Sequence, residues 1–255
     1  MELSVTTNSP EYRNALIKWM ATFGKNAREA IKVQGRFLGE RLIAFTPPRN
    51  QKQGRDRVRK DIQKIIMGID DEQFDKIHYV LKGDTNIVRA FVNKQGVVYG
   101  VDKQNYMPNA TAEDLSKFHQ AQRDQRGRVS EAGQKTRDIG RWKFITMLVA
   151  PQGVVADYIA TVSDRVGRGR GGWAEGVLRL KGKVAQWVAV HARTAGEFRD
   201  FSESPNPSIE FVNKSEWASG GDQDRIMENA INARIRDINA SIRRAIKDSG
   251  KPFHA

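Results

Sequence analysis

The stretch Glu11–Phe45, EYRNALIKWMATFGKNAREAIKVQGRFLGERLIAF, decides the fold. Its apolar residues Leu16, Trp19, Met20, Phe23, Ala27, Ala30, Ile31, Phe37, Leu38, Leu42 and Phe45 recur at spacings of three and four. That period puts them on one stripe of an α-helix. Taken as one element, the pattern predicts a helix of roughly 30 residues, about 45 Å long at the α-helical rise. Gly24, Gly35 and Gly39 fall inside it. Each lowers helix propensity by up to about 1 kcal/mol and admits a close neighbour or a bend. Thr46-Pro47-Pro48 ends the helix, because proline lacks the donor N–H and its ring clashes with the preceding turn.

Beyond the prolines, Arg49 to Arg57 is polar, basic and glycine-containing, which predicts an exposed loop. Val58 to Met67 reads as a short helix stopped by Gly68. Asp70, Asp71 and Glu72 are placed to cap a helix over Gln73 to Leu81. Ile87 to Val92 and Val97 to Val101 are β-branched and aromatic, and the intervening Asn93-Lys94-Gln95-Gly96 predicts a hairpin. Thr111-Ala112-Glu113-Asp114 has the form of a helix N-terminus, with a polar helix running to about Gln125. From Arg123 to Arg141 apolar residues are sparse, and an extended arm is expected. Lys143 to Val149 is a short apolar run, a strand or the start of a helix.

Gln152 to Val166 is amphipathic with a helical period, Gly167-Arg168-Gly169-Arg170-Gly171-Gly172 breaks it, and Trp173 to Leu180 resumes it. Val184 to His191 is a further apolar run. Glu203 to Pro207 reads as a loop and Ser208 to Asn213 as a strand. Ile231, Ile235, Ile238 and Ile242 mark a last helix from about Asp222 to Lys247. The class that follows is α+β: two long terminal amphipathic helices packed on a small antiparallel sheet, with additional helices and an extended middle region. Parts of Ile87–Val101 and Ser208–Asn213 are expected to make the sheet. The domain expectation is a single unit with a middle insertion or arm at about 73–141.

Composition narrows the function. Lys and Arg number 43 against 30 Asp and Glu, a net +13, which favours polyanionic partners. The apolar share, 39%, is clustered and periodic, unlike a disordered chain. There is no cysteine, which excludes disulfides and thiolate metal sites. Met1 to Pro10 is too polar for a secretion signal, and no apolar run reaches the ~18–20 residues that span a bilayer.

No constellation of residues predicts catalysis. His78, His119, His191 and His254 are scattered. His119 shares a helical face with Arg123 but has only nearby Asp124 as a carboxylate partner. Asp70, Asp71 and Glu72 lack the alternate spacing and distant carboxylate of a cation loop. The run Gly167–Gly172 lacks the Lys-Ser/Thr pair of a phosphate loop, since Trp173 follows. It reads as a joint between helices, with phosphate contact by Arg168 and Arg170 as the alternative. Phosphodiester cleavage commonly needs clustered carboxylates for metal, and none is recognisable. The expectation is a chain that is not an enzyme and uses no metal and no cofactor.

Three basic segments remain: Arg49–Lys64, Arg123–Lys143 and Arg165–Lys183. The first holds seven basic and two acidic residues. Only Trp142 and Trp173 lie near these segments, too few rings for stacking on single-stranded bases. Sequence-blind attraction to a phosphate backbone is compatible with them. A solvated or subunit-facing surface is the commoner use of such runs. Arg49, Lys52, Arg55 and Arg57 in the first segment, and Arg168 and Arg170 in the Gly-Arg joint, are the expected contacts with a partner or DNA.

Several stretches together carry a resemblance. Ala44-Phe45-Thr46-Pro47-Pro48 closes a long helix, and a Gly-containing polar stretch leads to Val58-Arg59-Lys60-Asp61-Ile62. His119 with Arg123, Gly140-Arg141-Trp142-Lys143-Phe144, and Val166-Gly167 through Gly172-Trp173 follow, and Ser208–Lys247 supplies a closing strand and helix. In this order they resemble the tail-completion and neck (head–tail joining) morphogenesis proteins of tailed phages, although the middle, about Gln73–Arg141, is longer than in the shorter members. The resemblance implies a structural virion protein with no active site, assembled in the host cytoplasm. It implies a homo-oligomeric ring, with six subunits the expectation, that meets other neck, connector or tail proteins. Passing contact with double-stranded DNA is compatible with it, and no membrane is involved. The alternative is a non-catalytic basic nucleic-acid-binding protein acting in phage DNA packaging or replication.

Overall fold

The computed structural model describes residues 3–4, 9–70, 87–92, 98–102, 107–128, 142–145, 148–215 and 222–249. In chain order the described elements are β1 (Leu3–Ser4), α1 (Pro10–Phe23), α2 (Ala27–Phe45), α3 (Gln51–Gln63), β2 (Ile66–Ile69), β3 (Ile87–Val92), β4 (Val98–Asp102) and α4 (Ala112–Arg128). There follow β5 (Trp142–Ile145), β6 (Leu148–Pro151), α5 (Gln152–Ser163), α6 (Arg168–Arg179), α7 (Gln186–Ala189), α8 (Ala192–Ala195), β7 (Gly196–Phe201), β8 (Ser208–Asn213) and α9 (Asp222–Ser249). The fold is α+β. Two compact units divide it: Met1–Gly54 with Val166–Ala255, and Arg55–Arg165, within which the expected insertion at 73–141 lies.

In the first unit, the N-terminal helix is two helices. Gly24 takes the left-handed conformation (φ 63°) that side-chain-bearing residues avoid, and its N–H closes α1 on the Met20 carbonyl. Asn26 then opens α2 by accepting the Glu29 N–H at 2.9 Å. The apolar stripe runs through the break because both helices face one core. Tyr12, Ala15 and Trp19 from α1, Ala30, Leu38 and Leu42 from α2, and Ala230, Ile238 and Ile242 from α9 belong to a single cluster. The closing helix thus packs along both opening helices.

The small antiparallel sheet of this unit has the order β1-β8-β7. Its middle strand β8 occupies the stretch predicted for it, Ser208–Asn213. Its partner β7 is a strand that the sequence did not announce. The expected pairing of this strand with Ile87–Val101 does not occur, because β3 and β4 belong to a different sheet in the other unit. Helix α6 packs against α2 and the sheet. Glycines permit the approach: a Cβ on Gly39 would stand 2.6 Å from Val177 Cγ2 and 2.8 Å from the Phe211 ring. Trp173 and Val177, at 3% and 0% exposure, complete the core.

The second unit corrects two readings. The basic stretch after the prolines is not a loop: α3 begins at Gln51, with the Asn50 side chain accepting the Gln53 N–H at 2.8 Å. The helix ends at Gln63, and Gly68 lies within strand β2, not after a helix. Ile66 and Ile69 are fully buried there, and β2 runs parallel to β6 with Ile66 opposite Leu148. Around this pair, Ile62, Ile65, Leu115, Val155 and Tyr158 form the core, contributed by α3, α4 and α5 and the turn after α3.

The two strands of the predicted hairpin pair antiparallel as β3 and β4, the turn read at Asn93–Gly96 lies outside the described residues, and β5 joins β4 in parallel. The apolar run Lys143–Val149 contributes to two strands, β5 and β6. The N-cap read at Thr111 forms a reciprocal box. Its hydroxyl accepts the Asp114 N–H at 3.2 Å, and the Asp114 carboxylate accepts the Thr111 N–H at 3.0 Å. The Thr111 hydrogen bonds hold the Asp114 carboxyl below its ordinary range. The helix predicted over Gln73–Leu81 lies outside the described residues, as does the part of the expected arm beyond Arg128.

Candidate functional site

The six predicted contact residues divide into exposed and buried. Arg49 is exposed just before α3, and Lys52, Arg55 and Arg57 are exposed along that helix. Arg55 lies 3.5 Å from Asp164, an exposed ion pair worth at most about 1 kcal/mol. Arg168 is exposed in the first turn of α6.

Arg170 departs from the expectation of a surface contact: at 8% exposure it is buried and engaged within the chain. Its Nε donates to the Thr46 carbonyl at 2.5 Å and its Nη2 to the Ala44 carbonyl at 3.2 Å. These are carbonyls at the end of α2 that no further helical turn can satisfy. Trp173 Nε1 donates to the Thr46 hydroxyl at 3.0 Å, and that hydroxyl donates to the Leu42 carbonyl at 2.7 Å. The guanidinium also lies 5.6 Å from the centroid of the Trp187 ring. Burial pushes its pKa down from the ordinary value. The glycine-arginine run is therefore no linker: Gly167 (φ 102°) caps α6, and the rest is helix.

A second buried cation ties α9 to α2. Arg234 donates from Nε and Nη2 to Gln34 Oε1 at 3.0 and 2.6 Å, and from Nη1 to Asp237 at 3.3 Å. Arg41 meets the same carboxylate at 2.7 Å. Phe37 packs under the Arg234 guanidinium, 4.8 Å from its ring centroid. Burial pushes the pKa of Arg234 down, and burial likewise raises that of nearby Tyr12 to about 12. The cleft beside this network is lined by Phe37, Glu40, Arg41, Ala44, Arg234 and Asp237. Arg41 and Arg234 are both paired in it.

His119 sits at the meeting of three helices in the second unit. Its Nδ1 is 2.9 Å from the Tyr158 hydroxyl of α5, and its Nε2 is 3.2 Å from Asp61 Oδ2 of α3. The imidazole side chain is 7% exposed. The partner carboxylate is Asp61, 58 residues away, not the neighbouring Asp124 considered from sequence. A carboxylate–imidazole–phenol chain could move a proton. Tyr158 is 5% exposed, and the chain forms a polar tie between the three helices.

What faces outward on α3 is charge. Val58 and Ile62 turn inward with Asp61, while Arg57, Arg59, Lys60 and Lys64 are exposed on the helix and the turn after it. None of these four forms an ion pair with another described residue. Elsewhere some surface cations are compensated: Lys25 by Glu29, Lys32 by Asp200 and Glu203, Arg199 by Glu197 and Glu210, Lys214 by Glu197. The acidic cluster at Asp70 extends outside the described residues. Among the described residues no group of three or more His, Asp or Glu is placed to hold a metal ion. Comparison with family models, with curated proteins and with solved structures finds no match.

Proposed function

We propose that this chain is a structural virion protein of a tailed phage, a subunit of the neck or tail-completion ring that joins head to tail. The observation that carries the proposal is the use to which the buried polar side chains are put. Arg170 caps α2, Arg234 binds α9 to α2, and His119 ties three helices together. Each is engaged in holding the fold, so what remains for function is surface.

The surface suits assembly. Ile17 and Phe23 on α1, Phe45 at the end of α2, and Val190 and Phe201 are large apolar side chains left exposed on the first unit. In a ring, such side chains are covered by neighbours. Four of the elements that carry the resemblance, α2 with its Thr-Pro-Pro end, α6, β8 and α9, also contribute to this unit's core. The second reading, a free nucleic-acid-binding protein, is favoured by one observation, the uncompensated charge of α3.

Native mass spectrometry of nuclease-treated protein at high salt separates the two. A closed homo-oligomer of one stoichiometry is expected without DNA. A monomer or dimer that loads stoichiometrically onto duplex DNA at moderate salt would favour the second reading instead.

A further inference from the structure

We propose that the solvent-exposed surface of α3, through Arg57, Lys60 and the adjoining Lys64 on one face and Arg59 on the neighbouring flank, takes the phosphate backbone of double-stranded DNA. The proposal rests on the ring reading in one respect: a ring repeats α3, so that several weak contacts act on one duplex.

The geometry supports a polyanion rather than a solvated surface. From Arg57 to Lys64 the chain advances about 10 Å along the helix, over which a duplex carries about six phosphates. All four cations are exposed, and none is neutralised by a described carboxylate. Asp56 and Asp61 are half-buried, and Asp61 is turned to His119 at 3.2 Å. The helix is also fixed in place, with Ile62 at 0% exposure and the Asp61–His119 contact on its inner side. Charges on a fixed helix are presented without the ordering cost of a mobile loop. No aromatic residue lies among them, so bases have nothing to stack on, and the contact is to phosphate and indifferent to sequence. The same surface could meet an acidic protein, but a regular anionic spacing suits four exposed cations, unpaired among the described residues, along one short helix and the turn after it better than an irregular carboxylate surface.

The test uses the full chain and a 30-base-pair duplex of arbitrary sequence, with binding followed by fluorescence anisotropy from low to high salt. The variant R57Q/R59Q/K60Q/K64Q is compared with R13Q/K18Q/K183Q/R193Q, which removes the same charge from exposed positions elsewhere. The α3 variant is expected to lose at least about tenfold in affinity at 0.1 M salt, and its log K against log salt slope to fall by about 3 to 4. The control is expected to stay within about threefold of the parent. Equal losses in both variants would overturn the proposal, since net charge alone would then explain binding. Poly-glutamate that competes as well as DNA, charge for charge, and with the same α3 dependence, would also overturn it in favour of an acidic protein partner.

Native mass spectrometry of the same samples separates this proposal from the ring reading. Closed rings without α3-dependent DNA binding sink only the α3 proposal, whereas α3-dependent binding by a chain that never closes sinks only the ring.

Discussion

Arg170→Ala is expected to destabilise the first unit by roughly 3 kcal/mol. Two carbonyls at the end of α2, the part-buried one of Ala44 and the buried one of Thr46, lose their charged donor. The vacated volume lies against Trp187, whose ring also loses the cation. The companion variant Arg168→Ala, two residues earlier and exposed, should change stability by no more than about 0.5 kcal/mol. Urea unfolding of the two variants beside the parent measures both. Equal, small effects would show that the guanidinium does not hold the helix end. The pair also separates the two roles that the sequence assigned jointly to these arginines.

Gly172→Ala should be about as costly, again roughly 3 kcal/mol from overpacking together with lost hydrogen bonds. A Cβ at this position would stand 2.0 Å from Asn213 Oδ1 and 2.1 Å from its Cγ, so the whole amide must move. That amide is engaged on both sides. Its Nδ2 donates to the Gly169 carbonyl at 2.8 Å, and its Oδ1 accepts the Ser215 N–H at 3.0 Å and the Ser215 hydroxyl at 2.6 Å. Moving it breaks the link between the end of β8 and the start of α6. Gly153→Ala is the contrasting case. No atom lies within 4 Å of its added Cβ, and the residue is in the first turn of α5. Alanine there should stabilise by up to about 1 kcal/mol. Thermal or urea unfolding of both variants checks the sign as well as the size, and a Gly172→Ala protein as stable as the parent would refute the close-packed joint.

These two residues show where the sequence was legible and where it was not. Strand β8 and helix α9 could be read because each pattern is local: a β-branched run in one, isoleucines three and four apart in the other. The Thr111 cap was legible for the same reason, its partner Asp114 being three residues away. Gly24 was harder. The signal was present in Gly24-Lys25-Asn26 followed by Glu29, but the apolar stripe continues across it, since α1 and α2 both face α9.

The first basic stretch of the candidate site was read as a loop and is a helix. Seven cations between Arg49 and Lys64 hide the inward residues Val58 and Ile62, so that α3 looked like solvent-exposed coil. Arg170 was unreadable in principle, because what buries it is the end of a helix 124 residues earlier in the chain. The same holds for Asp61 and His119, whose pairing depends on the packing of α3 against α4. A run rich in glycine and arginine signals flexibility when seen alone. Here the glycines remove bulk so that α6 can lie against Asn213, His191 and Phe211.

The central claim is that this chain joins head to tail, and electron microscopy of particles assembled without it tests that most directly. In phage-infected extracts lacking the chain, DNA-filled heads and finished tails should accumulate apart, and adding the purified protein should join them. Joined particles in its absence, or a failure to package DNA into heads, would contradict the account.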